Sequence, residues 1–115
     1  MKRPSYREID RKLKAAESAV KSGNVFLIKQ EIIASDALEL GYLIDEELHG
    51  ILSELIEATS PKDYRGTRPP QRSYEKEIEG LDLFAFQVKS VILGREVYYK
   101  FAIMDGCLYL VSLHG

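Results

Sequence analysis

A chain of 115 residues with 45% apolar and 30% charged residues has the size and balance of one globular domain. The net charge of −2 argues against a general nucleic-acid binder, and the one cysteine, Cys107, excludes an internal disulfide framework and suits a reducing cytoplasm. No apolar run approaches the roughly 20 residues of a membrane span, no Cys/His spacing suggests zinc, and no apolar stretch follows the N-terminal bases as in a signal peptide. The expectation is a cytoplasmic protein with no membrane contact, metal or cofactor.

Ser5-Tyr6-Arg7-Glu8 has the form of a capping box, with a hydroxyl N-cap and a carboxylate three residues on. After it, Tyr6, Ile9, Leu13, Ala16 and Val20 recur at helical spacing, and Gly23 is placed to stop the helix. Val25 to Ile28 has the composition of a short strand. KQEIIASDALEL then predicts a second helix ending at Gly41. Asp45 is the expected cap of a third helix, whose stripe is Ile44, Leu48, Ile51, Leu52, Leu55 and Ile56, and Thr59-Ser60-Pro61 ends it.

Charge is unevenly spread. Met1 to Lys14 holds six bases and two acids, Glu31 to Glu57 eight acids and no base, and Pro61 to Ser73 four bases and one acid. Pro69-Pro70 excludes a helix or a central strand from the last of these, so residues 61–80 read as a basic loop with a short strand near Ser73 to Ile78. From Leu81 the chain is rich in aromatic and β-branched residues: LFAFQVKSVI, EVYYKFAIM and CLYLVSL. Gly94-Arg95 links the first two runs, and Asp105-Gly106, a strong type I′ hairpin signal, links the last two.

The expected fold is therefore α+β in a single domain, 1–115. A helical half (1–60) precedes the loop (61–80) and an antiparallel sheet (81–115) of three or four strands. Three N-terminal helices pack on one face of that sheet, and the other face stays open. Strand alternation assigns Val97, Tyr99, Phe101 and Ile103 to the core, with Phe84, Phe86, Val88 and Ile92. Tyr98 and Lys100 fall on the open face with Gln87 and Lys89; Ser112 and His114 share a parity that leaves their face open. Lys89, Lys100, Tyr98 and His114, edged by Lys62, Arg65, Arg68 and Arg72, would suit a polyanion, with Tyr64, Tyr74 or Tyr98 stacking on unpaired bases.

The order of VKSGNV (Val20 to Val25), ALELG (Ala37 to Gly41), DYR (Asp63 to Arg65), GREVYYKFAI (Gly94 to Ile103) and LVSLH (Leu110 to His114) resembles the motility quorum-sensing regulator (MqsR) toxins of bacterial type II toxin–antitoxin systems, within the RelE-like group. The G-x-x-VY-x-K hairpin and the terminal VS-x-basic element are its most specific parts. The resemblance implies a metal-independent endoribonuclease that cuts mRNA by 2′-hydroxyl attack on the adjacent phosphate. It also implies an antitoxin partner encoded beside it. The family's active tyrosine falls on Tyr98. A family lysine falls on Arg65 and a C-terminal lysine on His114. A family glutamine aligns strictly with Phe84, and Gln87 matches it only with a shift. The expected catalytic residues are Tyr98, His114 and Arg65, and the expected substrate-binding residues Lys100, Lys89, Gln87, Arg68, Arg72 and Tyr64. The two changes of residue type make a catalytically inactive module, binding RNA or a partner protein, the alternative. A homodimer through a sheet edge or an apolar helix face is a third reading.

Overall fold

The structure, a computed structural model, describes residues 3–115; Met1 and Lys2, the latter one of the N-terminal bases, lie outside the described residues. Helix α1 (Tyr6–Lys21) opens with the Glu8 amide donating to the Ser5 hydroxyl at 3.1 Å. The Glu8 carboxylate does not return to Ser5 but accepts from Arg3 at 2.6 Å, and Arg3 also donates to Asp82 at 2.6 Å. Ile9, Leu13, Ala16, Ala19 and Val20 bury one stripe of α1. The short strand β1 (Val25–Leu27) follows, then α2 (Gln30–Leu40), ended by Gly41 at φ 82°. Helix α3 (Ile44–Ala58) starts one residue ahead of its expected cap: the Leu43 amide donates to the Glu47 carboxylate at 2.9 Å, so Glu47 rather than Asp45 caps it.

The sheet has the order β1-β4-β3-β2, with β2 (Phe84–Ser90), β3 (Arg95–Met104) and β4 (Cys107–His114) antiparallel. It is mixed rather than purely antiparallel, because β1 lies along β4 in parallel. Helices intervene between β1 and the rest of the sheet and supply the crossover that parallel strands need. Asp105 (φ 51°) and Gly106 (φ 75°) both take the positive φ of a type I′ turn.

The three helices cover one face. Phe84, Phe86, Tyr99 and Phe101 form its aromatic floor, the Phe86 ring lying 5.6 Å from Tyr99 and 5.8 Å from Phe101. Leu52, Leu55 and Ile56 of α3 close over the same core. Ile92 is not part of it. It is 53% exposed in the turn between β2 and β3, because the Glu54 carboxylate of α3 draws in the Ser90 hydroxyl and the Val91 and Ile92 amides.

The opposite face is only half open. The Ser73 amide donates to the Leu81 carbonyl at 2.9 Å and the Gly80 amide to the Ser73 carbonyl at 2.9 Å, closing residues 73–81 into a loop around a 3₁₀ turn, Lys76–Ile78. The strand expected near Ser73 to Ile78 does not form there, since the main chain bonds to itself. This loop drops Ile78, Leu81 and Leu83 onto Ala102, Tyr109 and Val111, making a second small core. The uncovered end of the face is the one that carries Tyr98 and His114.

Candidate active site

The two residues meet through an irregularity in β4. Pairing runs Tyr98 with His114 and Lys100 with Ser112, then jumps to Phe101 with Leu110. Val111 is thus an extra residue on β4, a β-bulge. Below it, Leu108 and Leu110 point into the helical core; beyond it Leu113 does so, and Ser112 and His114 turn to the open face. Unbroken alternation from Leu110 would have sent Ser112 and His114 into the core.

On the open face the Tyr98 and His114 rings stack 5.5 Å apart at 15°. Tyr98 is 40% exposed and His114 is exposed. Both line a cleft of about 200 Å³ with Arg65, Ala85, Lys100 and Ser112. Arg65 arrives from the loop: its amide donates to the Ala85 carbonyl at 2.8 Å, adding one rung beside β2. Its guanidinium donates to the Lys62 and Tyr64 carbonyls at 3.2 and 3.1 Å. His114 Nδ1 donates to the Gly115 main-chain oxygen at 3.0 Å, since that oxygen can only accept. In the neutral ring this leaves the Nε2 lone pair for a proton. Among the described residues no carboxylate pairs with Arg65 or Lys100, so both cations are free to meet an anion.

The other expected site residues divide. Gln87 stands opposite Tyr98 in the β2–β3 register, but its amide donates to Glu96 at 3.0 Å. Lys89 is exposed one step further along β2, opposite Glu96. Arg68 lies 5.1 Å over the Tyr64 ring and donates to the Pro4 carbonyl, and Arg72 faces Asp82 at 3.9 Å; neither lines the cleft. Tyr64 is not a stacking platform for bases. It is 6% exposed, packed edge-on against Phe86, and its hydroxyl donates to the Thr67 carbonyl at 2.6 Å. Burial pushes that hydroxyl's pKa up. Gly66 makes room for it, since a Cβ at Gly66 would strike the Tyr64 ring and hydroxyl.

Two contributors escape a reading by motif. Ser112 lines the cleft opposite Lys100, and only the bulge puts it there. The Arg95 guanidinium lies against Gly115, where a Cβ would strike it, so another cation stands one residue from His114. Among the described residues no group of three or more His, Cys, Asp or Glu side chains is disposed to hold a metal ion, and no helix is long and apolar enough to cross a membrane.

The arrangement can therefore hold an anion between Arg65 and Lys100 and exchange protons through an imidazole and a phenol on the same face. No protein-family model matches the chain, and no curated protein matches it significantly.

Proposed function

We propose that this protein is an MqsR-like toxin of a type II toxin–antitoxin system, an endoribonuclease that cuts mRNA by 2′-hydroxyl attack. The stacking of Tyr98 on His114 beside two cations that no carboxylate pairs among the described residues is the observation that carries the reading. Arg65 and Lys100 hold the scissile phosphate. His114 Nε2 removes the 2′ proton as O2′ bonds to phosphorus. The P–O5′ bond breaks, and the Tyr98 hydroxyl supplies the proton that the leaving oxygen needs. The products are a 2′,3′-cyclic phosphate and a 5′-hydroxyl end. Ser112 lies within the same cleft as a neutral hydrogen-bond donor.

The test is cleavage of a single-stranded RNA by the purified chain in the presence of a chelator, with the product ends identified. Tyr98→Phe and His114→Ala should each lower the rate about 10²- to 10⁴-fold while leaving the melting temperature unchanged. A 2′-deoxy residue at the cut site should block cleavage but not binding. Unchanged cleavage by His114→Ala would remove the acid–base assignment. In cells, induced expression should arrest growth, and co-expression of an antitoxin encoded beside it should relieve the arrest.

One observation favours a second reading, an inactive RelE-like module that binds RNA or a partner protein. Arg65 and His114 stand where the resembled family has lysines, and an always-protonated guanidinium held by two main-chain carbonyls can grip a phosphate but cannot replace a lysine that moves protons. RNA binding without cleavage, together with harmless expression, would select this reading.

A further inference from the structure

Helix α2 carries apolar side chains on both sides. Ile33 and Ala37 are buried, whereas Leu38 is 84% exposed. Leu43, just ahead of α3, is 62% exposed. These two and Leu27, Ala34 and Ile44 line a groove of about 620 Å³ between α2 and the start of α3. Large aliphatic side chains gathered on an open surface mark an interaction site.

Tyr42 also lines the groove and is only 5% exposed, yet its hydroxyl has no hydrogen-bond partner among the described residues. A buried polar group left unpaired is costly and uncommon. Burial, with Asp36 adding to it, pushes this hydroxyl up to about 12. It is therefore a neutral buried donor without an acceptor among the described residues, set in the wall of the groove.

The charge around the groove selects the occupant. Asp45 and Glu46 are part of its wall, and from Glu31 to Glu57 the chain has no lysine or arginine. A basic partner is attracted and an acidic one repelled. Among the described residues a second copy of this chain offers no free basic amphipathic helix: its basic helix α1 already buries Ile9, Leu13, Ala16 and Val20 in its own core. An open groove with leucines at its lips suits a helix that brings apolar residues at three- and four-residue spacing.

We propose that the groove between α2 and α3 docks a basic amphipathic helix of a partner protein. Its apolar stripe sits between Leu38 and Leu43, and its lysines or arginines lie over Asp45 and Glu46. The groove shares no residue with the Tyr98–His114 cleft, so this docking does not depend on the reaction proposed there.

The probe is a fluorescein-labelled peptide of about 18 residues built from leucine and lysine at helical spacing, titrated with the full chain and read by anisotropy. Two controls keep its length: one replaces lysine with glutamate, and one scrambles the order so that no stripe remains. Saturable binding is expected for the first peptide and not for the controls. Leu38→Asn combined with Leu43→Asn should weaken it at least tenfold, Asp45→Asn with Glu46→Gln several-fold, with most of the salt dependence lost. Should the double leucine variant fail to fold, Leu38→Asn alone, at a position this exposed, serves in its place. Equal binding by the leucine variants, or by the scrambled peptide, would overturn the proposal. So would a wild-type dimer in light scattering that the leucine substitutions dissociate, because a second copy would then cover the groove.

Discussion

The Tyr99 hydroxyl donates to Thr59 Oγ1 at 2.7 Å, and Thr59 in turn donates to the Leu55 carbonyl at 2.6 Å. Tyr42 brings the same hydroxyl to a place where it has no partner among the described residues. One chemical change should therefore have opposite effects at the two sites. Tyr99→Phe should cost about 1 kcal/mol, the net worth of a hydrogen bond. Tyr42→Phe should stabilise the fold by about 1 kcal/mol, by removing an unpaired buried hydroxyl. Urea unfolding of the two variants checks both signs. The two groups also contribute to the alkaline limit, as does the buried Tyr64. Burial raises the pKa of Tyr99, and that of Tyr42 to about 12, while in the unfolded chain a tyrosine ionises near 10. Above about pH 10 the unfolded chain thus holds fewer protons than the folded one, and stability falls as pH rises. That fall should be shallower in Tyr99→Phe than in the wild type; an identical slope would mean that Tyr99 does not titrate on unfolding.

Among the elements, what could be read from the chain was periodicity together with turn chemistry. The stripes of α1, apart from Tyr6, which is 71% exposed, and of α3, the glycine ending α2 and the Asp105-Gly106 hairpin are local signals, and each lies where local physics puts it. The parallel pairing of β1 with β4 is a contact over some eighty residues and leaves no local trace. The bulge at Val111 is hidden for a related reason. It is a mismatch between two strands, and CLYLVSLH alternates too weakly to reveal which side Ser112 and His114 take. Tyr98, Lys100 and Arg65 were legible as site candidates because a clear two-residue alternation or a nearby motif marked them. Tyr64 reads as exposed because a loop tyrosine gives no sign that Phe84 and Phe86 enclose it. Ile92 reads as core because the Glu54 carboxylate that turns the chain outward sits 38 residues away. That contact is also an element-scale prediction. Glu54→Ala removes the acceptor for the Ser90 hydroxyl and for two turn amides, joining α3 to the β2–β3 turn. It should cost about 2 kcal/mol, as hydrogen bonds to a charged group do, and hydrogen exchange at Val91 and Ile92 should quicken before that of the β3 core. Uniform quickening along the hairpin would show that Glu54 acts on the whole sheet and not on its turn.

For the molecule as a whole, charge separates the two surfaces. Asp45 and Glu46 of α3 border the apolar groove, and Arg65 and Lys100 in the cleft, with Lys89 further along β2, have no carboxylate partner among the described residues, so a net charge of −2 conceals a local positive site. Three phosphate contacts on a single strand would give log K against log salt a slope of about −2, and fluorescence titration of an RNA oligomer between low and moderate salt measures it. A slope near zero would mean that these cations do not meet phosphate. The segment leading into α1 is tied down by charge as well. Arg3 joins Glu8 on α1 to Asp82 just before β2, fastening the start of the first helix to the segment that leads into the sheet. The hydrogen bond from Arg3 holds the Glu8 carboxyl below its usual value of 4.5, against an opposing effect of burial. As pH falls below 4.5, Glu8 in the unfolded chain takes up its proton before Glu8 in the folded one does. The folded chain binds fewer protons there, so the stability from this contact is present above that pH and is lost as pH falls through the lowered value. Glu8→Gln isolates the contribution: its melting temperature should lie below that of the wild type at neutral pH, and the gap should close in acid once Glu8 is protonated in both states. A gap that stays constant to the most acid pH at which the chain is folded would show that the side chain acts through packing and not through its charge.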